Sequence, residues 1–308
     1  MAFNRRLAAM AAALVATATI CLSAQTTFQF VVSATSADGS PVPDLRPDDV
    51  VMTENGVKQE VVKVEPLSIP TKLTITVDNG IDSRDALAHY RTGLTGMVEA
   101  LPSDVEITLI TTAPQPRTVV KSTTDRALIL RGINGFAPEE ARPRFSDAIV
   151  EYADRLQKEA KDKNAPAYMP VLVMISTAGL ETRSYQPKEI EKAVQYLATR
   201  HAKVNAIVVS TKPGDTATAA AIDMTMQSIV ALPAAKLTNG RYEGLSVSNR
   251  MATLLPEWGK DLATLHKKQV KQFKVTVERK SAGDLQSPRI ELARPGLTGA
   301  VTRDGFLP

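Results

Sequence analysis

Four continuous apolar runs rich in β-branched residues constrain this chain more than any other feature. They read "KLTITVD" (72–78), "VEITLITT" (105–112), "MPVLVMIS" (169–176) and "KVNAIVVS" (203–210). A run without polar alternation predicts a strand covered on both faces. Between the runs, apolar residues recur at helical spacing. Leu87, Tyr90, Leu94, Met97, Val98 and Leu101 form one such face, and Phe145, Ile149, Tyr152 and Leu156 a second. Ile190, Ala193, Val194 and Leu197 form a third behind Pro187, which suits a first helical turn. Buried strands alternating with amphipathic helices predict an α/β fold: a doubly wound, mainly parallel, Rossmann-like sheet. "RTVVKS" (117–122) reads as a short edge strand, and "TATAAAIDMTMQSIVAL" (216–232) as helical.

The flanks have a different texture. Phe28, Phe30, Val32 and Ala34 alternate with smaller or polar neighbours, Asp38-Gly39 and Asn55-Gly56 are turn signals, and Val57–Val64 reads as another strand. This N-terminal β-module, 25–68, is too small to stand alone. The α/β unit is expected over 69–246. Residues 247–308 are expected to form a C-terminal helix and β-tail packed on both. Met251, Leu254, Leu255, Trp258, Leu262 and Leu265 mark the helix face. Phe273, Val275 and Val277 then alternate with polar residues, a strand able to pair with the N-terminal module.

Residues 1–24 read as a secretory signal: basic "MAFNRR", 17 uncharged residues, then the small Ala24 as the expected cleavage point. The uncharged run is short for a membrane span. Ile20 is bulky where lipoprotein processing at Cys21 takes a small residue. Cys21 is the single cysteine, so the processed chain would have no disulfide and no thiolate site. The expectation is an exported protein, periplasmic or secreted, with no membrane span after cleavage and a core sufficient for stability.

Composition excludes little else. A net charge of +4 over 308 residues does not point to nucleic acid, and "HKKQVKQFK" (266–274) reads as a solvated helix end. No GxGxxG, GxxxxGK[ST] or GxSxG motif is present. His89, His201 and His266 lack metal-ligand spacing and read as surface or half-buried residues. Ligands of open α/β sheets bind beyond the carboxyl ends of the strands. Three such ends matter here: "VDNGID" (77–82), Thr111-Thr112 and "ISTAG" (175–179). Asp78 and Asp82, with hydroxyls from neighbouring loops, are chemically suited to a hard cation such as magnesium.

The order of these stretches resembles a von Willebrand factor type A (VWA) domain, in particular the exported bacterial VWFA-related proteins. The residues that carry the resemblance are "FVVSATSADGSPVPDLRPDDVVMTENGVKQEV" (30–61), "LTITVDNGID" (73–82), "PVLVMISTAGLETRS" (170–184) and "LTNGRYEG" (237–244), covering Phe28 to Phe306. The resemblance implies a metal-ion-dependent adhesion site built on Asp-x-Ser-x-Ser, a loop threonine and a second aspartate. Here Asp78 stands at the first aspartate, Gly80 and Asp82 at the two serines, and Thr177 at the second aspartate. No threonine occurs near Pro143, where the loop threonine is expected. Asp78, Asp82 and Thr177 are therefore the candidate metal positions of a degenerate site. The expectation is a non-enzymatic module that binds a protein partner, with no cofactor or weak binding of Mg2+ or another divalent cation. The alternatives are a cation-dependent adhesion protein using those three residues, or an exported hydrolase with Asp78 and Asp82 as acid and base.

Overall fold

The computed structural model describes residues 26–210, 224–279 and 284–308. The expected signal segment, 1–24, and the start of the expected helix over 216–232 lie outside them.

The buried runs are strands of one six-stranded sheet. They are β4 (Thr71–Val77), β5 (Glu106–Thr111), β7 (Met169–Thr177) and β8 (Lys203–Val209); β6 (Arg117–Thr123) and β9 (Tyr242–Leu245) form its edges. The order is β6-β5-β4-β7-β8-β9, parallel throughout except the antiparallel β5–β6 edge pair. All nine residues of β7 are buried, as expected of a strand flanked by two parallel neighbours and covered by helices.

Six helices among the described residues cover the two faces. One layer holds α1 (Leu87–Ala100), α2 (Arg126–Gly135) and α6 (Met251–Gln269). The other holds α3 (Phe145–Glu159), α4 (Pro187–Thr199) and α5 (Met226–Leu237). Helix α2, absent from the sequence reading, is capped by Asp125, whose carboxylate accepts from the Leu128 amide at 3.0 Å. Helices α1 and α6 cross closely at glycines. A Cβ at Gly93 would lie 2.5 Å from the Met251 carbonyl oxygen, and one at Gly259 would lie 2.7 Å from that of Met97.

A second six-stranded sheet is built from both ends of the chain. Its order is β11-β2-β3-β10-β1-β12, with β1 Thr26–Thr35, β2 Val50–Glu54, β3 Val57–Leu67, β10 Gln272–Arg279, β11 Pro288–Leu292 and β12 Thr298–Thr302. Strand β10 pairs antiparallel with β1 on one side and β3 on the other. Phe30, Val32, Ala34, Met52, Phe273, Val275 and Val277 fill its apolar interior. The edges curl towards each other, and the Leu292 side chain closes on Gly299.

His266 ties helix α6 to the start of β4 and the loop before β5, and departs from the surface or half-buried position expected of it. It is 1% exposed. Its Nδ1 accepts from the Thr71 amide at 3.3 Å, and its Nε2 lies 3.0 Å from Asp104 Oδ2. An N–H facing Nδ1 places the ring proton on Nε2, which donates to Asp104. His201 lies at a helix end against Asp304, and His89 against Ser248.

Candidate functional site at the carboxyl ends of the strands

The site forms where β4, β5 and β7 end. Asp78 follows β4 directly and is fully buried. Its amide donates to the Ile175 carbonyl at 2.8 Å, which continues the β4–β7 pairing by one residue. Its carboxylate is surrounded by donors. Oδ1 accepts from the Gly80 amide at 2.8 Å, and Oδ2 accepts from the Ser176 hydroxyl at 3.0 Å and the Thr177 amide at 3.2 Å. The Ser83 hydroxyl is a fourth donor.

Behind this carboxylate runs a line of buried hydroxyls. Thr177 Oγ1 is 2.8 Å from Ser83 Oγ and 2.6 Å from the Tyr90 hydroxyl. One proton order satisfies all of them: Tyr90 donates to Thr177, Thr177 to Ser83, and Ser83 to Asp78. Burial pushes the Asp78 carboxyl above its ordinary value, and the donors oppose that rise. Burial, then the Asp78 charge, raise the Tyr90 phenol in turn.

The loop between α2 and α3 closes over this point. Asn79 holds it from below: its Nδ2 donates to the Ala137 carbonyl at 2.8 Å, its Oδ1 accepts from the Ala113 amide at 3.1 Å, and its own carbonyl accepts from the Glu139 amide. The Ile81 amide donates to the Ala141 carbonyl at 2.9 Å. Gly80 permits the approach, because a Cβ there would lie 2.6 Å from that oxygen and 3.0 Å from Pro143 Cδ.

The β7–α4 loop is tied down as firmly. The Thr182 amide donates to the Pro143 carbonyl. Buried Asp147 accepts from the Ser184 amide at 3.0 Å and from Arg144 at 3.3 Å. Glu181 accepts from both the amide and the hydroxyl of Ser146, and burial raises its carboxyl above the ordinary range. On the other side Gln227 of α5 holds Gly179 with two bonds: the Gly179 amide donates to Oε1 at 3.3 Å, and Nε2 donates to the Gly179 carbonyl at 3.1 Å.

Of the three candidate positions, Asp78 and Thr177 are brought into direct contact. Asp82 stands apart. It is exposed on the 3-10 turn Ile81–Ala86, and its carboxylate leans over Gly179, where an added Cβ would lie 2.6 Å from Oδ2. Three participants were outside the sequence reading of the site. Tyr90 read there as core, Ser176 only as a strand end, and Ser83 lies one position past the serine pattern of the adhesion motif.

A hexacoordinate divalent ion sets a geometric test for these positions. Such an ion needs several oxygens converging on one point. Asp78 Oδ2 accepts from Ser176 and Thr177 and Oδ1 from Gly80, Gly80 has no side chain and no room for one, Thr177 faces hydroxyls on both sides, and Asp82 is turned to Gly179. Among the described residues there is no group of three or more His, Cys, Asp or Glu placed to hold a metal.

No family model matches the chain, and no curated protein matches it. Solved structures do. A von Willebrand factor type A protein from Catenulispora acidiphila aligns at 10% identity over 90% of this chain and 72% of its own, with a TM-score of 0.49. BatB from Bacteroides thetaiotaomicron aligns at 15% identity over 63% of this chain and 98% of its own, with a TM-score of 0.45. Proximal thread matrix protein 1 from the mussel byssus, with a zinc-occupied adhesion motif, aligns at 10% identity over 65% of this chain and 50% of its own, with a TM-score of 0.45. Two of the solved structures that align with this α/β chain, the Catenulispora acidiphila protein and the SpRpn10 VWA domain, are described as von Willebrand factor type A, each at 10% identity.

Proposed function

We propose that this chain is an exported VWA-like module that binds a protein partner at the rim formed by the β4, β5 and β7 loops, without turnover and without a bound divalent ion. The observation that carries the reading is the protein-only satisfaction of Asp78. Donors from two segments, 80–83 and 176–177, surround the one buried acid at the position of the adhesion motif. A rim held this way presents a fixed surface and has no need of an ion to organise it. A non-enzymatic role is supported by the same geometry. Ser83 and Ser176 are fully buried, so neither hydroxyl can reach a substrate from solvent, and the Asp78 carboxylate is buried with them. Among the described residues no helix is long and apolar enough to cross a membrane.

Photo-crosslinking in the producing organism tests this. A photoreactive residue at exposed Leu180 is expected to give one discrete protein adduct that persists in EDTA, while one at Lys58 on the other sheet gives none. Loss of the adduct in EDTA, or hydrolytic turnover abolished by Asp78→Ala, contradicts the proposal.

A further inference from the structure

The partner's chemistry can be read from what the rim leaves unsatisfied, on the reading that the rim is the binding surface. Most charges there are answered within the chain. Arg84 pairs with Glu140, Arg144 with Asp147, Arg183 with Glu181, and Arg117 lies 3.9 Å from Glu139. Asp82 is different. It has no hydrogen-bond or ionic partner among the described residues. Its carboxylate rests on Gly179, whose amide and carbonyl are both taken by Gln227, a fully buried side chain. Gly179 therefore offers it no donor, and the carboxylate is exposed.

Two exposed apolar residues neighbour this acid in the two loops. Ile81 precedes it and is 47% exposed; Leu180 follows Gly179 and is 56% exposed. The Ile81 amide is bonded to the Ala141 carbonyl, and Leu180 lies between Gly179 and Thr182, whose amides are bonded to Gln227 and the Pro143 carbonyl. Arg142, next to the Ala141 carbonyl that closes over Gly80, is the competing feature: it is exposed and has no acid partner among the described residues. It lacks the flanking apolar pair.

We infer that Asp82 is the polar centre of the docking surface, and that the partner is a protein segment presenting a lysine or arginine between apolar residues. The cation would meet the Asp82 carboxylate, and its neighbours would cover Ile81 and Leu180. An unpaired acid framed by apolar contacts that exclude water is where a charge-assisted hydrogen bond is strongest. Asp85, exposed on the same 3-10 turn, adds to the negative field without contacting Gly179.

Selection of random linear peptides on the purified full chain tests the inference, with each enriched peptide re-measured on Asp82→Asn, Leu180→Asp and Arg142→Gln. All three positions are exposed, and matching circular dichroism shows that the variants fold. The expected result is enrichment of peptides with a basic residue flanked by apolar ones. Their affinity should fall tenfold or more in Asp82→Asn, fall in Leu180→Asp, recover in part in Asp82→Glu, and stay unchanged in Arg142→Gln. Peptides lost in Leu180→Asp but retained in Asp82→Asn overturn the inference and leave the rim as the binding surface. Acidic peptides that depend on Arg142 do the same. Peptides that bind every variant equally overturn both readings. Failure to enrich any peptide overturns the proposed linear cationic segment.

Discussion

At the scale of single residues, Asp78 organises the site, and its burial dictates how it should respond to change. Asp78→Asn puts an amide where two oxygens now accept. At least one of the Gly80, Thr177, Ser176 and Ser83 donors then faces an N–H2 group, and the expected loss is about 1–3 kcal/mol of stability in urea unfolding. The pH dependence has a defined sign. Burial raises the carboxyl in the folded state, so the native chain holds its proton more tightly than the unfolded chain does. The corresponding stability is fully present below the ordinary carboxylate value of 3.8 and is lost as pH rises through the folded value. The stability difference, wild type minus Asp78→Asn, should therefore shrink as pH rises through that window. A difference that grows contradicts this account of the buried charge. Asp78 was legible in the sequence because a lone acid at the end of an apolar run has few other roles. Ser83 was not. The 3-10 turn has three residues per turn, so Ser83 and Ala86 face inward together while Asp82 swings out, an arrangement that a motif written at fixed spacing does not contain.

At the scale of elements, the strands and most helices followed from periodicity. Strands β4, β5, β7 and β8 were continuous apolar runs, and α1, α3, α4 and α6 showed one apolar face each. Helix α2 was missed for a physical reason: it is ten residues long, buries only Ile129 and Ile133, and leaves Leu128 39% exposed, so no clear face appears in its sequence. The α1–α6 contact was equally hidden, because glycines carry no periodic signal. There the backbones approach until a single methyl group has no room. Gly93→Ala should push α6 away from α1 and cost about 1–3 kcal/mol, read from the urea midpoint at unchanged slope. Unchanged stability there would show that the helices are not held in close contact.

At the scale of the whole molecule, the chain's two ends share one sheet. Alternation at Phe273, Val275 and Val277 marked β10 as a strand, but no local pattern says that it lies between β1 and β3, because pairing across more than two hundred residues leaves no trace in spacing. Its central place makes the second sheet all-or-none. A chain ending at Gln269 loses β10, β11 and β12 and leaves β1 and β3 with open edges. Aggregation or loss of the cooperative transition is the expected outcome in sedimentation and thermal unfolding; a monomer with an unchanged transition contradicts the topology's importance. The α/β layer carries the rim, and its loops are joined by hydrogen bonds among Asn79, Ala137, Ala141, Thr182, Ser184 and Gln227; the proposal is that they need no shared ion. Calorimetric titration of Mg2+ and of Mn2+ into the full chain, to millimolar concentration, tests that claim most directly. The account predicts no saturable heat for either ion and no difference between wild type and Asp78→Asn; a one-to-one isotherm that disappears in Asp78→Asn would contradict it.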